Sequence, residues 1–235
     1  MEVSLVTGGN SGIGHEVVRQ CAKEGMVVYL GSRDPANGIT AAAELASAGD
    51  VRPIHLDLAD EATLRSAVAR IEREQGRLDL LVNNAGIALP GDTPETINLV
   101  FQTNLHGPVL LAQLCVPLLR RSAAGRVVNV SSGAGRFSFL ASDRLKMDPE
   151  KLHYAYPVSK TALNAATVLL AKALEREGIR VNACHPGLVA TKLSGLSGMK
   201  GKSPAEGAAI VVSVAKMSVN GPTGGFFDET GPIDW

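Results

Sequence analysis

A tyrosine and a lysine four positions apart, in Tyr156-Pro-Val-Ser-Lys160, have residue types and a spacing suited to proton transfer. On a helix, residues i and i+4 share one face, so the Lys160 ammonium can lie beneath the Tyr156 phenol. A phenol with its ordinary pKa of about 10 is a poor acid or base at neutral pH, and a nearby cation lowers that pKa. The pair therefore predicts a tyrosine that donates a proton to a carbonyl oxygen. The alternative is a core tyrosine beside a solvated lysine.

A second candidate is the glycine-rich segment Thr7-Gly-Gly-Asn-Ser-Gly-Ile-Gly14, which follows a short apolar run and precedes residues with helical spacing. Strand, glycine loop and helix in this order form the context in which a loop binds the pyrophosphate of a dinucleotide. Glycine lets backbone N–H groups approach phosphate oxygens, and the helix N-terminus adds a partial positive charge. The alternative is an ordinary tight turn. The position of the segment after the first strand favours nucleotide binding.

Apolar runs of strand length alternate with segments of helical spacing along the whole chain. The predicted strands are 3–7, 26–31, 51–56, 78–82, 126–130 and 179–184. The predicted helices are 12–24, 36–48, 60–76, 97–123, 156–177 and 204–218. This alternation, with near-continuous apolar strands, predicts an α/β protein with one doubly wound parallel sheet covered by helices on both faces.

Small, polar or glycine residues follow five of these strands, at the sheet edge where such folds bind ligands. They are Gly31-Ser-Arg-Asp34, Asp57-Leu58, Asn83-Asn-Ala-Gly86, Ser131-Ser132 and His185-Pro-Gly187. Turn formation alone does not explain all five.

Composition excludes several classes of protein. The chain has 235 residues, with 23 basic and 23 acidic side chains, so no net charge favours nucleic acid or an anionic membrane. The cysteines Cys21, Cys115 and Cys184 lack metal-ligand spacing and are expected to be free thiols. No stretch is expected to reach membrane-spanning length, and the chain is expected to be cytoplasmic. Residues 1–235 are expected to form one domain.

Together, the glycine loop, Asn83-Asn-Ala-Gly86, Tyr156-Pro-Val-Ser-Lys160 and Pro186-Gly187 resemble the short-chain dehydrogenase/reductase family over essentially the whole chain. The resemblance implies a Rossmann fold in which Tyr156 is the acid and Lys160 anchors the cofactor and tunes the tyrosine.

The resemblance also gives roles to three residues outside these motifs. It implies that Ser132 polarises the substrate carbonyl, with Ser131 as the alternative. It implies that Asn104 holds a water in a proton relay, unless it is a plain polar helix residue. Gly107 and Pro108 predict a kink there that frees backbone groups.

The resemblance implies an extended cofactor site. Its expected members are Gly8, Asn10, Ser11, Gly12, Ile13, Gly14, Arg33, Asp57, Leu58, Asn84, Ala85, Gly86, Tyr156, Lys160, Pro186, Gly187, Val189 and Thr191. Asp57 is expected to bond the adenine amino group, to cap the helix 60–76, or both.

Arg33 follows the second strand, where the adenosine ribose is read, and its planar guanidinium suits a 2′-phosphate. Asp34 lies one position later than an acid that would select NAD. We therefore predict NADP(H). The loop has Asn10-Ser11 where some NADP-dependent relatives have a base, so dual specificity stays open.

Two segments are expected to flank the substrate pocket. Ser132 and Tyr156 are 24 positions apart, and the insert 136–153 between them is similar to the carbonyl reductase branch of the family. The loop 188–203 is expected to cover an apolar substrate; a surface loop without a role in specificity is its alternative. His153 is expected near the pocket, and no metal site is predicted at His185.

The sequence thus predicts an NADPH-dependent carbonyl reductase acting on a ketone, aldehyde or quinone. An alcohol dehydrogenase working in the oxidative direction and a non-catalytic NADP(H)-sensing protein are the alternatives. The expected partner is a small carbonyl or alcohol substrate, with no nucleic acid and no membrane. A monomer is favoured over a homodimer or tetramer because the insert is expected to cover the helices that pair in relatives.

Overall fold

A computed structural model describes residues 1–143, 145–146, 153–191 and 201–235. Its strands are β1 (Val3–Thr7), β2 (Val27–Ser32), β3 (Val51–His55), β4 (Leu80–Asn83), β5 (Arg126–Val130), β6 (Arg180–Cys184), β7 (Phe226–Asp228) and β8 (Gly231–Pro232). Its α-helices are α1 (Gly12–Lys23), α2 (Pro35–Glu44), α3 (Glu61–Gln75), α4 (Pro94–Phe101), α5 (Gly107–Leu119), α6 (Phe137–Leu140), α7 (Ala155–Leu174) and α8 (Pro204–Ala215). Shorter turns include a π turn at Gln102–His106 and 3₁₀ turns at Gly133–Gly135 and Glu175–Glu177.

The strands form one sheet in the order β3-β2-β1-β4-β5-β6-β7-β8. Strands β1 to β7 pair in parallel, and β8 is antiparallel to β7. The strand order reverses between β1 and β4, and a ligand crevice forms at such a switch point. The predicted fold class is confirmed.

The two last strands were not predicted. β7 and β8 contain three and two residues, which is too short for hydrophobic periodicity to show a strand. The other boundaries differ from the prediction by at most four residues, apart from the helix 97–123.

Two apolar clusters cover the two faces of the sheet. On one face, α3, α5 and α7 supply buried side chains such as Leu64, Leu111 and Leu174. On the other face, α1, α2 and α8 supply side chains such as Val17 and Val211. Burial on both faces explains why the parallel strands are nearly continuous apolar runs.

The predicted helix 97–123 differs most from the structure. It begins at Pro94, where the Thr93 hydroxyl accepts from the N–H of Thr96 at 3.3 Å, and it ends at Leu119. A kink at Gly107 and Pro108 was expected, but the irregularity is a π turn in which the Gly107 N–H donates to the Gln102 carbonyl. Pro108 fits the first turn of α5 because it needs no N–H partner there.

The expectation that no stretch reaches membrane-spanning length is also corrected. Within the described residues, the helical run Pro94–Leu119 has 26 residues, and an 18-residue window in it has a mean hydropathy of 1.2, enough by length and composition to cross a membrane. The π turn joins α4 to α5 without a break, so the run is nearly as long as the predicted helix 97–123. A core helix passes the same test, so the run is weak evidence for a membrane.

Candidate active site

The glycine loop between β1 and α1 has a backbone that requires glycine. Gly8 and Gly12 have φ angles of +63° and +57°, which side chains with a Cβ rarely adopt. A Cβ on Gly14 would lie 2.3 Å from the Gly8 carbonyl oxygen. Gly14 therefore packs the first turn of α1 against the loop, which leaves the N-terminus of α1 open for a phosphate.

The segment at the end of β4, Asn83-Asn-Ala-Gly86, is hydrogen-bonded to this loop. The Thr7 hydroxyl accepts from the backbone N–H groups of Asn84 and Ala85, both at 3.0 Å. The Asn84 side chain donates to the carbonyls of Thr7 at 2.9 Å and Gly8 at 3.3 Å. Sequence reasoning gave Thr7 no role, although its place at the end of the first strand was a usable signal.

A cavity of about 740 Å³ lies over the carboxyl ends of β1, β2 and β4. Of the expected cofactor residues, it is lined by Gly8, Asn10, Ser11, Gly12, Ile13, Arg33, Asp57, Leu58, Asn84, Ala85, Gly86 and Thr191. The expected residues Gly14, Tyr156, Lys160, Pro186, Gly187 and Val189 are not part of this lining. Residues that line it without having been predicted include Ser32, Asn37, Leu56, Ile87, Ala88, Leu89, Thr103, Ala190 and Pro204.

The end of β2 presents one cation to this cavity. Arg33 is exposed and lines the cavity. Asp34 also lines the cavity, but its carboxylate caps α2, accepting from the N–H groups of Ala36 at 2.8 Å and Asn37 at 3.1 Å. Arg33 is thus the charged side chain at this strand end that is free of a capping role.

Asp57 lines the cavity, but it does not cap α3. The cap is Asp60, which accepts from the Ala62 N–H at 2.9 Å, whereas Asp57 accepts from the Ala59 N–H at 3.0 Å. The capping alternative for Asp57 was wrong because the helix begins at Glu61, so only Asp60 immediately precedes it.

Ser132 is the serine that reaches Tyr156. The Ser132 hydroxyl accepts from the Ala134 N–H at 3.2 Å, and its side chain lies near enough to the Tyr156 phenol to lower the pKa of that group. Burial is the larger effect and raises the pKa of Tyr156 above its ordinary value. The expectation that Lys160 lowers this pKa is not met in the protein by itself, because the opposing effect comes from Ser132 and not from Lys160.

Lys160 lies next to Tyr156 on α7 and is buried. Its Nζ donates to the Val130 carbonyl at 2.9 Å. Burial lowers the pKa of Lys160 to about 8. A Cβ on Gly86 would lie 3.3 Å from this Nζ, so the ammonium lies directly behind the end of β4.

Asn104 lies in the π turn with no exposed surface, and both N–H groups of its side chain are used. Its Oδ1 accepts from the Ile87 N–H, and its Nδ2 donates to the Ile87 carbonyl, both at 2.8 Å. Nδ2 also donates to the Ser159 hydroxyl at 3.0 Å. The amide therefore joins the π turn to the cavity wall and to α7.

Ser131, the alternative to Ser132, points away from Tyr156. It is buried, and its hydroxyl donates to Oδ1 of Asn164 at 2.5 Å. Consecutive residues of an extended chain face opposite sides, which separates the roles of the two serines.

The expected pocket flanks are partly described. In the insert, residues 144 and 147–152 lie outside the described residues, α6 covers 137–140, and His153 is exposed. In the loop 188–203, residues 192–200 lie outside them, and Lys202 pairs with Leu188 and Ala190 through backbone hydrogen bonds of 2.9 and 2.8 Å. His185 Nδ1 accepts from the Gly187 N–H at 2.9 Å, and burial lowers the pKa of His185.

Comparison with known proteins agrees with this geometry. The sequence model of the family described as short chain dehydrogenase matches residues 2–200, and the chain belongs to the short-chain dehydrogenase/reductase family. Proteins of this family are oxidoreductases that use nicotinamide cofactors.

Individual relatives are similar at moderate identity. Dehydrogenase/reductase SDR family member 13 of Bos taurus is 38% identical over 196 residues, covering 81% of this chain and 52% of that protein. The chain thus spans about half the length of that relative. Short-chain dehydrogenase anuI of Penicillium roqueforti is 33% identical over 221 residues, covering 90% of this chain and 87% of that protein.

Among solved structures, the NADPH-bound carbonyl reductase from chicken fatty liver is similar to this chain, with a TM-score of 0.85. It is 26% identical, and the match covers 100% of both chains.

Proposed function

We propose that the protein is an NADPH-dependent carbonyl reductase that converts a ketone, aldehyde or quinone to the corresponding alcohol. The observation that carries the proposal is the proximity of the Ser132 and Tyr156 side chains, with the buried Lys160 one helical turn after Tyr156 on α7. Two hydroxyl groups that converge on one point can both donate to a carbonyl oxygen placed there. A protein that only senses the cofactor needs no such pair.

Residues of the cavity fit a dinucleotide. The Gly8 and Gly12 backbone leaves the N-terminus of α1 open for the pyrophosphate, and Asp57 and Leu58 line the wall expected to hold the adenine. When bound, the reduced nicotinamide supplies a hydride to the carbonyl carbon.

The chain's own side chains provide the proton and the electrostatic stabilisation. Tyr156 gives its phenolic proton to the substrate oxygen, and Ser132 donates a hydrogen bond to the same oxygen. We propose that the positive charge of Lys160, one helical turn after Tyr156, stabilises the phenolate that is left. The side chain of Asn104 holds the π turn against Ile87, and we propose that this residue holds a water of the relay that returns the proton.

We further propose selection of NADP(H) over NAD(H), supported by the exposed Arg33 at the end of β2 and by the NADPH bound to the similar chicken liver enzyme. Dual specificity is the alternative, since Asn10 and Ser11 add no second cation.

We propose that residues 1–235 act as one catalytic unit in the cytoplasm, without nucleic acid or membrane partners. The free thiols of Cys21, Cys115 and Cys184 and the balanced charge support this.

The test is consumption of NADPH with a panel of ketones, aldehydes and quinones, comparing wild type with Tyr156→Phe. Loss of the proton donor should lower kcat by ~10²–10⁴ and leave NADPH binding, measured by cofactor fluorescence, nearly unchanged. Tyr154→Phe is the control, because this neighbouring tyrosine is exposed and precedes α7.

The outcomes separate the alternatives. Retention of more than a third of the turnover in Tyr156→Phe would overturn the role of Tyr156. NADPH binding without consumption of any carbonyl or reduction of NADP⁺ by any alcohol would favour the sensing protein. Turnover of alcohols alone would favour the oxidative alternative.

A further inference from the structure

The short segment Ser131–Gly135, which carries Ser132, is held at both ends by one side chain of α7. This side chain is Asn164, which is 4% exposed. The Ser131 hydroxyl donates to Oδ1 of Asn164 at 2.5 Å. Nδ2 of Asn164 donates to the Gly135 carbonyl at 3.1 Å.

The chemistry of the two partners fixes the orientation of this amide. A backbone carbonyl only accepts, so the NH₂ group of Asn164 must face Gly135. Its oxygen must then face Ser131, whose hydroxyl has to donate. The amide therefore satisfies both contacts in one orientation, and Ser132 lies between the two residues that it holds.

The same segment lies directly on the part of α7 that carries the reactive residues. A Cβ on Gly135 would lie 2.7 Å from the Lys160 Cβ, so only glycine allows this approach. The Thr161 hydroxyl also donates to the Gly135 carbonyl, at 3.0 Å. The position of Ser132 relative to Tyr156 thus depends on how this segment packs on α7, because Ser132 belongs to the segment and Tyr156 to the helix.

We propose that Asn164 is a positioning residue that keeps the Ser132 hydroxyl in place against the Tyr156 phenol. The proposal rests on the function proposed above, since the effect on turnover requires Ser132 and Tyr156 to act together on a carbonyl oxygen. Asn164 itself touches neither reacting group; it acts through the segment that carries Ser132.

Loss of the amide has a defined consequence. In Asn164→Leu the side chain keeps a similar volume, the Ser131 hydroxyl loses its acceptor, and the segment is free to move away from α7. A displacement of about 1 Å at a catalytic group lowers rate by up to about a hundredfold. We expect a tenfold to hundredfold decrease in kcat, on the order of that limit, with KM for NADPH unchanged.

The decisive experiment is a double-mutant cycle of Asn164→Leu with Ser132→Ala. If Asn164 acts through Ser132, the Asn164 substitution lowers kcat in the wild-type background and has little further effect when Ser132 is already alanine. Ser131→Ala, which removes only one of the two contacts, should show the same pattern with a smaller decrease. It keeps the proposal testable if Asn164→Leu does not fold.

A second readout does not depend on turnover. With ¹³Cζ-labelled tyrosine, the Tyr156 resonance is assigned by its loss in Tyr156→Phe. Ser132→Ala should shift this resonance, Asn164→Leu should shift it in the same direction, and the double variant should add nothing. If no carbonyl is reduced by the wild type, the proposed function fails, while this spectrum still tests the positioning role.

Thr167→Val is the matched control, because Thr167 is a fully buried polar residue one turn further along α7. It accepts from Nδ2 of Asn129 at 2.9 Å and, within the part of the chain that the structure describes, makes no hydrogen bond to the segment Ser131–Gly135. It should lower the melting temperature without moving the Tyr156 resonance. The proposal would be overturned if Asn164→Leu lowered kcat equally in the wild type and in Ser132→Ala. It would also be overturned if Asn164→Leu left the Tyr156 resonance unshifted.

Discussion

At the scale of single residues, the Lys160 ammonium is a charge that burial removes from the water that would otherwise stabilise it. Among the described residues, its hydrogen-bond partner is the Val130 carbonyl, and burial lowers the pKa of Lys160 to about 8. The charge that the proposed chemistry needs is therefore held at the expense of stability, as is common at active sites.

The cost of this charge should depend on pH. Below pH 8 the folded and unfolded states both hold the proton, so the folded state carries the full penalty of the buried charge. Between that pKa and the ordinary value of 10.5, the unfolded chain binds more protons and stability rises with pH.

Lys160→Met should therefore raise the melting temperature near neutral pH while abolishing turnover. One pKa unit corresponds to about 1.4 kcal/mol, and each kcal/mol to roughly 2–4 °C for a chain of this size. The gain should shrink as the pH is raised towards about 10. Calorimetry at several pH values measures it, with the exposed Lys172→Met on the same helix as control. A lower melting temperature for Lys160→Met at neutral pH would contradict this account.

Arg33 is the residue on which cofactor choice should depend. Losing its charge-assisted bonds to a 2′-phosphate should cost ~1.5–3 kcal/mol, roughly a ten- to hundredfold decrease in NADPH affinity. Arg33→Asp should go further, because a carboxylate repels the phosphate and accepts a bond from the ribose hydroxyl of NADH. KM should change more than kcat, since the ribose is remote from the hydride.

Steady-state kinetics with both cofactors measure this effect. Arg65→Asp on α3 is the control, because Arg65 is exposed and pairs only with Glu61 among the described ion pairs. Equal loss of NADH and NADPH activity in Arg33→Asp would mean that Arg33 is structural, and would leave the preference for NADP(H) without its main support.

At the scale of elements, the glycine loop and the first turn of α1 form one packed unit with the end of β4. A Cβ on Gly14 would lie 2.4 Å from the Nδ2 atom of Asn84. The proposed phosphate site is thus built from the ends of two strands that are far apart in sequence, β1 and β4, which are connected by Thr7 and Asn84.

Gly14→Ala should disrupt cofactor binding more than its single added methyl suggests. The Cβ must displace backbone at Gly8, so the loop loses its geometry, and we expect NADPH affinity to fall at least tenfold, or by about 1.4 kcal/mol. Gly25→Ala is the control: its φ of +82° makes alanine strained, but nothing lies within 4 Å. It should cost about 1–2 kcal/mol of stability without changing NADPH affinity. Titration calorimetry and thermal unfolding distinguish the two, and equal affinities would contradict the packing argument.

At the scale of the whole molecule, the helices α5 and α7 lie together on one face of the sheet and present their outer surface to solvent. Along α7, Val158 and Leu169 are 40% and 67% exposed, and no large apolar side chain of α5 reaches such exposure. A stable dimer buries about 800 Å² on each partner around an apolar core. We propose that this surface is too poor in large apolar groups for one, and that the protein is a monomer.

Light scattering at micromolar concentration should therefore give 24.5 kDa. Leu169→Lys should leave the mass unchanged. A mass of twice that value or more in the wild type, reduced by Leu169→Lys, would replace the monomer by a dimer formed through α7.

The sequence by itself determined the class of fold, the glycine loop and the pair Tyr156 and Lys160, because those signals are local. Strand periodicity, a strand–loop–helix transition and an i, i+4 spacing all act within a few residues of one another. The prediction of NADP(H) from Arg33 is of the same kind and stays a prediction.

Only the tertiary structure decided which polar side chains are hydrogen-bond partners. Ser131 and Ser132 are equivalent in a sequence pattern, but Asn164, 33 positions from Ser131, takes the first and leaves the second facing Tyr156. The Asn104 side chain hydrogen-bonds to the backbone of Ile87. Asn104 lies in a π turn, and no residue pattern in the sequence predicted the hydrogen bonds of that turn. Such contacts join groups that are distant along the chain, and their geometry arises only when the sheet brings the strand ends together.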